Sequence, residues 1–521
     1  MHIPSMKRAL RLKLHRAVAC VVIATFLCNI TLAQSGLTQP EQGRLSRLES
    51  APQGDSSLTI YNDNFAVVRQ SFPLDLKQGT NAIRFSDTTA TLEPDTVILR
   101  DAAGKRAIQV LEQSFRNDPA TEQRLLSFYE GKVIDFEVQE GDHTRTIQGK
   151  VIRSGYVPNY TPYSQPPQYA STEPIIEVDG KLRFGLPGKP LFPDLGDDAI
   201  LKPQLQWLLR ADEPGPFQAE LSYISGGLRW QADYNLVAPE KGDTLDLVGW
   251  VTFTNDSGKT FNNAQIKLLA GDVNKLQEPR RVYEMAAKAM AMDAAAPAPV
   301  SEKAFDEFHL YTLNNRVTLR DHETKQVEFV RAMAVKSQRL YIYDGADLGQ
   351  YSGWDEVSAR SNPQYGTSMN TKVWVEQEFK NSDANHLGIA LPKGKVRFYR
   401  RNSDGQLEFT GENQIDHTPK DETIRLYTGN AFDLVGERRR TSFHMDSGGH
   451  SMDESFEIKL RNHKKEAAEI RVVEHLYRWS NWQVTESSDD YKKTDDRTIE
   501  YRVQVPPDSG RTLTYTVHYS W

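Results

Sequence analysis

Cysteine is almost missing from this sequence. Its 521 residues contain two, Cys20 and Cys28, and both fall in an apolar stretch near the N-terminus. Without that stretch the chain has no disulfide framework, no cysteine-ligated metal and no thiol nucleophile. Its stability must then come from packed cores. Recognisable catalytic motifs are missing as well. There is no nucleophile elbow G-x-S-x-G, no zinc motif H-E-x-x-H and no phosphate loop G-x-x-x-x-G-K-[ST]. Excess positive charge is missing too. The formal net charge is −7, and it becomes −12 once the five basic residues of positions 1–33 are removed. That balance argues against non-specific nucleic-acid binding, which needs cationic surface to displace counterions. It also argues against a basic membrane-surface patch, and it favours solubility.

The N-terminus has three parts. Lys7, Arg8, Arg11, Lys13 and Arg16 form a positive region, Ala17 to Leu32 is largely apolar, and Thr31-Leu32-Ala33 ends on a small residue before Gln34. This is the pattern of a cleavable signal peptide over 1–33. The apolar run is short for a span of about 20 residues, and no transmembrane helix is expected after it. A lipoprotein cysteine fits neither Cys20, which comes too early, nor Cys28, which follows Leu27. The expected location is exported: periplasmic or extracellular, with outer-membrane association as an option.

The remaining length exceeds one hydrophobic core and implies about three domains. Residues 34–57 are rich in Gln, Ser, Gly and Pro and read as a disordered leader. From Leu58 the pattern turns to β. Phe72, Leu74 and Leu76 alternate with polar or proline neighbours, and Ile83 and Phe85 resume after a turn at residues 77–81; alternation of period 2 predicts half-buried strands. An N-terminal β domain is expected over 58–110. A small barrel-like unit is expected over 111–203, with a helix at Thr121 to Tyr129. Within it, 155–174 is rich in tyrosine and proline and reads as a surface loop. A larger β domain follows over 204–400, interrupted at 280–303 by an Ala-, Met- and Pro-rich insert. The last part, 401–521, alternates clearly at Phe456, Ile458 and Leu460 and again at Leu513, Tyr515, Val517 and Tyr519. It reads as an immunoglobulin-like β-sandwich without a disulfide. The predicted fold class is therefore mostly all-β and multi-domain.

Three segments are candidates for chemistry or binding. The run His444 to Glu454 offers His and carboxylate side chains to a metal, but Gly448-Gly449 in its middle fits a polar hairpin tip better, so no metal site is assigned. The final alternation ending at Trp521 resembles the last strand of an outer-membrane barrel. Such barrels need apolar-outward alternation in many strands, and the preceding strands carry charges freely, which favours a sandwich strand. The loop tyrosines Tyr156, Tyr160, Tyr163 and Tyr169 could stack on a sugar or on a partner, since tyrosine pairs apolar area with a polar tip. A solvated insertion is the simpler reading of the same residues. The histidines outside the first 33 residues fall into no ligand spacing, and no cofactor is implied.

From Leu221 onward a family pattern emerges. It runs Gly226-Gly227-Leu228-Arg229-Trp230-Gln231-Ala232-Asp233-Tyr234, then Gly249-Trp250-Val251-Thr252, Thr254-Asn255-Asp256-Ser257-Gly258-Lys259, Asn263-Ala264 and Leu269-Ala270-Gly271-Asp272-Val273. Phe308 to Leu313, Glu323 to Val327, and Glu474-His475-Leu476 with Trp482 add to it. The chain resembles a bacterial domain-of-unknown-function family that includes mucoidy-inhibitor-A-like proteins, over about 204–521 and more loosely over 58–203. The resemblance implies an envelope or extracellular setting and no agreed activity. The chain lacks the long heptad-bearing insertion of the longer members, so a role tied to that insertion does not transfer. Physically these blocks are fold markers. Trp230 and Tyr234 share a strand face, as do His309 and Tyr311, for which core packing with a hydrogen bond is expected. Asn255 and Gly258 suit a tight turn.

The function expected from these observations is non-enzymatic binding or scaffolding in the cell envelope, with an envelope protein or polysaccharide as partner. The alternatives are a metal-independent polysaccharide hydrolase using two carboxylates, and an outer-membrane-associated β protein.

Overall fold

The computed structural model of the chain describes residues 46–48, 55–157, 173–195, 199–271, 273–275 and 300–521. The expected signal peptide lies outside the described residues, as do most of the leader and the insert up to residue 299. Within the leader, Ser46–Leu48 forms a short strand that pairs in parallel with residues 83–85.

The architecture is mostly β and multi-domain. Its strands fall into sheets of four, five, eight and 13 strands. Alternation in the sequence becomes alternation of burial. In the strand Phe65–Leu76, Val68, Phe72, Leu74 and Leu76 point into the core while Arg69, Pro73 and Asp75 face solvent. This strand pairs antiparallel along its whole length with Gly215–Gly226. Ser56–Tyr61 lies beside it and pairs in parallel with Phe261–Ala270. Strands far apart in sequence thus share the eight-stranded sheet and one core.

That core contains Phe72, Phe85 and Trp207 together with Trp230, Tyr234, Phe253 and Phe329. Trp230 and Tyr234 are buried, as their shared face predicts, and the Tyr234 hydroxyl donates to the Pro392 carbonyl at 2.6 Å. Tyr311 is buried and its hydroxyl donates to the Ala390 carbonyl at 2.8 Å. His309 departs from the expectation: it lies at the surface, paired with Glu302 at 2.7 Å. At this position its strand, Phe308–Leu313, pairs with Ala270 on one side and Ala304 on the other, two small side chains that leave the imidazole part-exposed beside Glu302.

A second, smaller core gathers Leu126, Ile134, Phe136, Val151 and Ile176. Its helix runs Glu122–Phe128, and the Thr121 side chain accepts the Arg124 N–H as the N-cap; such a cap contributes about 1 kcal/mol. Its five-stranded sheet runs from Lys181–Phe184 at one edge to Lys189–Leu191 at the other, and no ladder joins those edges among the described residues.

The third core lies in the C-terminal part and includes Tyr343, Phe456, Ile458, Val472, Tyr501, Tyr515 and Tyr519. The 13-stranded sheet connects it to the first. Two long strands, Glu323–Asp344 and Thr423–Met445, bury one end in each core: Phe329 and Val335 against Tyr343, and Ile424 and Leu426 against Leu434.

Candidate functional site

Seven strands at one end of the 13-stranded sheet build the site. In spatial order they are Leu407–Ile415, Gly394–Arg401, Leu228–Ala238, Thr244–Asn255, Glu323–Asp344, Lys372–Lys380 and Thr423–Met445. Strand twist curls this run until its first strand meets its seventh. The Asn413 amide donates to the Tyr427 carbonyl at 2.9 Å. Gly411 comes so close that a Cβ there would sit 2.5 Å from the Thr428 carbonyl oxygen. No ladder joins the two strands among the described residues. The curl is therefore a near-barrel with a seam, pinned at Gly411 and Asn413.

Beyond the pin the seam opens into a pocket of about 300 Å³, to which all seven strands contribute. Its floor is apolar: Leu236, Leu245 and Phe398 are buried there. Its wall carries Arg339, Arg400 and Lys464, and Asp433 is the acid on its rim. Among the described residues no ion pair involves Arg339 or Arg400. Lys464 forms an ion pair with the exposed Glu466, at 3.4 Å. Arg400 spends one nitrogen on the Pro239 carbonyl at 2.8 Å. Phe432 stands on the rim at 96% exposure, an unusual state for so large an apolar side chain.

The electrostatics follow from crowding cations beside a low-dielectric floor. Burial, reinforced by the charge of Arg339, lowers the Arg400 pKa from its ordinary value. Burial acts to raise the Tyr341 phenol, but hydrogen bonds from Lys464 and Arg339 and their charges outweigh it, so its pKa lies below the usual tyrosine value. The Lys464 ammonium donates to the Tyr341 oxygen at 2.7 Å. Each of these shifts is relieved by a negative charge in the pocket. A cavity of this size, with an apolar floor and convergent polar groups, has the form of a small-ligand site, and its charge selects an anion.

The residues singled out from sequence lie elsewhere. Tyr156 packs near the small helix, where Arg124 lies 4.8 Å from its ring and Asp118 accepts its hydroxyl. Tyr160, Tyr163 and Tyr169 lie outside the described residues. The His444–Glu454 run is a hairpin tip. The Asp446 carboxylate accepts the backbone N–H groups of Gly448, His450 and Ser451, so it is committed to the turn. Tyr515, Val517 and Tyr519 of the last strand point into the third core.

Glu454 and Glu474 are the two fully buried carboxylates of that core. The Arg478 guanidinium donates to Glu454 at 2.8 and 3.2 Å, and Arg440 donates at 3.1 Å. Arg438 donates to both oxygens of Glu474 at 2.9 and 3.1 Å, and the Tyr515 hydroxyl adds a bond of 2.5 Å. Oxygens so occupied are closed to an acid–base role. The same arginines reach out to a loop, residues 345–371. Arg478 donates to the Ala359, Asn362 and Tyr365 carbonyls and Arg438 to that of Gly366. The network is a structural latch.

A third polar cluster joins the ends of two strands. His475 Nε2 lies 2.9 Å from the Asp344 carboxylate, and Thr498 Oγ1 lies 3.5 Å from His475 Nδ1. The Asp344 hydrogen bond lifts the His475 pKa above its ordinary value, with burial opposing. A raised histidine stabilises fully below the unfolded-state value of about 6.5 and loses that contribution as pH rises through the folded value. Asp344→Asn is therefore expected to weaken urea stability at about pH 5.5, with the difference from wild type shrinking on the alkaline side. A difference independent of pH would remove the ion pair from the account.

Sequence reasoning missed Arg339, Tyr341, Arg400 and Lys464. Leu340 to Tyr343 is legible as a strand, and alternation puts Arg339 and Tyr341 on one face. Nothing in the local pattern distinguishes that face from a solvated one, because its partners come from six other strands.

No family model matches the chain, and no curated protein matches it in sequence.

Proposed function

We propose that this chain is an exported, non-enzymatic binding protein of the cell envelope, and that the seam pocket is where it takes an organic anion. The observation that carries the binding part is the trio Arg339, Arg400 and Lys464 above the Leu236, Leu245 and Phe398 floor, with no carboxylate paired to either arginine among the described residues. Half-buried cations normally have partners; Arg400 is half-buried with no carboxylate beside it, Arg339 is exposed at the pocket wall, and the position for a partner is an apolar-floored cavity. The export part rests on the Lys7 to Ala33 pattern, and the family resemblance agrees with it. The finer architecture belongs to the same proposal. An immunoglobulin-like sandwich over 401–521 is supported by the alternating strands around Phe456 and Tyr515, and a small barrel-like unit by the five-stranded sheet that shares a core around Phe136.

The hydrolase alternative has less support, because Glu454 and Glu474 are each closed by arginine. An outer-membrane strand would turn alternate apolar residues toward lipid, whereas Tyr515, Val517 and Tyr519 are buried in protein. No helix among the described residues is long and apolar enough to cross a membrane.

Calorimetry with 3-phenylpropanoate tests the pocket, with the matching amide as the uncharged control. The acid is expected to bind and the amide to bind at least tenfold more weakly. Hydrogen bonds to charged groups contribute about 1.5–3 kcal/mol each, so Arg339→Gln with Arg400→Gln is expected to weaken the acid by at least about tenfold. Equal affinity of wild type and double variant rules the pocket out.

The pH profile gives a second check. Ionisation of Tyr341 places a negative charge in the pocket. Because its pKa is lowered, affinity for the anion is expected to fall on the alkaline side before the ordinary tyrosine value is reached. Tyr341→Phe is expected to abolish that early fall. A fall unchanged in the variant assigns it to another group.

A further inference from the structure

Resting on the anion-pocket reading, we infer that the ligand is the C-terminal end of an extended polypeptide, which enters the open seam as an added strand. The pocket holds its carboxylate and an apolar last side chain.

Backbone groups carry the first part of the argument. The strand Leu407–Ile415 pairs with Gly394–Arg401 on one side only. The strand Thr423–Met445 pairs along 423–435 with Lys372–Lys380, and its other side takes up Ser451–Asn462 only from Leu434 onward. Between Tyr427 and Asp433 that second side has no ladder partner among the described residues. Two unpaired edges therefore face each other, pinned at Asn413 and Tyr427 and parting toward the pocket. Unpaired edges are templates for strand addition, and here an inserted strand has an edge on either side.

The exposure pattern agrees. Leu407, Glu408, Phe409 and Thr410 are consecutively exposed, so the strand is uncovered on both faces as well as at its edge. Natural edge strands are usually short, charged or covered. This one presents Leu407 and Phe409, and Phe432 stands at 96% exposure on the opposing strand. Phe409 leans on Tyr399, with ring centroids 5.9 Å apart, and Tyr399 lines the pocket. Edge, aromatic rim and cationic wall are thus one continuous surface.

Charge and size choose the end of a chain over its middle. Backbone in mid-chain is neutral, whereas the terminal carboxylate supplies the anion that Arg339 and Arg400 lack. A volume of about 300 Å³, some ten water volumes, holds one large side chain with a carboxylate and little more. A chain ending there fills the pocket, and the residues before it leave along the seam.

The test uses the mature chain and a fluorescent eight-residue peptide of alternating Thr and Val that ends in Phe with a free carboxylate. Its C-terminal amide and 3-phenylpropanoate are the comparisons. The free-acid peptide is expected to bind at least tenfold more tightly than either, and to slow amide exchange over 407–411 and 427–433. A peptide that binds no tighter than 3-phenylpropanoate, with exchange unchanged, overturns strand addition while leaving the anion pocket standing. Equal binding of acid and amide peptides overturns carboxylate recognition. Tight binding of the acid peptide with none of 3-phenylpropanoate supports strand addition and removes the small-anion reading. Equal binding of a capped peptide carrying an internal Glu overturns the choice of a chain end.

Discussion

Glu454→Ala is expected to lower the stability of the C-terminal part by about 3–5 kcal/mol, the cost of removing one partner of a buried ion pair. Glu454 has no exposed side-chain surface, and neither has Arg478. The substitution leaves the Arg478 charge in the core with only carbonyl acceptors. Arg440, at 13% exposure, can turn part-way to water; Arg478 cannot. The loss is therefore assigned mainly to one stranded guanidinium. A urea titration followed by the fluorescence of Trp479 and Trp482 measures it. Because Arg478 also holds the Ala359, Asn362 and Tyr365 carbonyls, the loop 345–371 is expected to become protease-sensitive before global unfolding. A shift under about 1 kcal/mol, within the range of surface pairs, would show that water reaches this network.

Asn462→Ala is expected to cost about 3 kcal/mol, through orphaned acceptors and not through lost volume. The Asn462 amide is fully buried and donates to three carbonyls, those of Glu466, Val505 and Pro506, at 2.9–3.1 Å. Its oxygen accepts the Lys464 N–H at 2.9 Å. Each buried acceptor left without a donor costs about 1–3 kcal/mol, and partial relaxation keeps the sum below the maximum. Asn462→Asp is expected to be nearly as damaging, since a carboxylate accepts and cannot donate. Thermal melts of the two variants against wild type check both statements, and full recovery in the Asp variant contradicts the donor account. The same device closes two other strands. The Asn255 amide donates to the Lys259, Leu319 and Arg320 carbonyls, and that of Asn381 to Ile389 and Pro419. Because Asn462 also orders the turn bearing Lys464, its loss is expected to disturb the seam pocket as well.

These asparagines mark how far the sequence could be read. Asn255 was legible as a turn residue because Asn-Asp-Ser-Gly favours a turn, and Gly258 does adopt a positive φ of 78°. Asn462 sat inside what looked like a charged turn, 461–466, and nothing local announces its burial. The strands were legible because burial on one face imposes period 2, as at Phe72, Leu74 and Leu76. The helix expected at Thr121 to Tyr129 forms over Glu122–Phe128, with Thr121 as its cap. The partners of those strands were not: Phe65–Leu76 pairs with residues more than a hundred positions away, and no local pattern encodes that choice. Glu474 alternated with Val472 and Leu476 on the core side, so its burial could be inferred, but its neutralisation by Arg438, 36 positions earlier, could not. The seam pocket was illegible for the same reason, since it exists only where seven strands curl together.

The two long strands, of 22 and 23 residues, have a mechanical consequence. At about 3.3 Å per residue each extends for about 70 Å, through the first core and on into the third. Neither end hangs on a separate linker: Glu323–Asp344 passes from the ladder with Thr244–Asn255 directly to the ladder with Lys372–Lys380, while in Thr423–Met445 the ladder thins between Asn430 and Leu434. A tug along these strands loads their lateral hydrogen bonds in shear, many at once, so failure requires a whole ladder to part together. The tie between the two cores is therefore the Glu323–Asp344 strand, whose ladders run on without a loop from one core to the other.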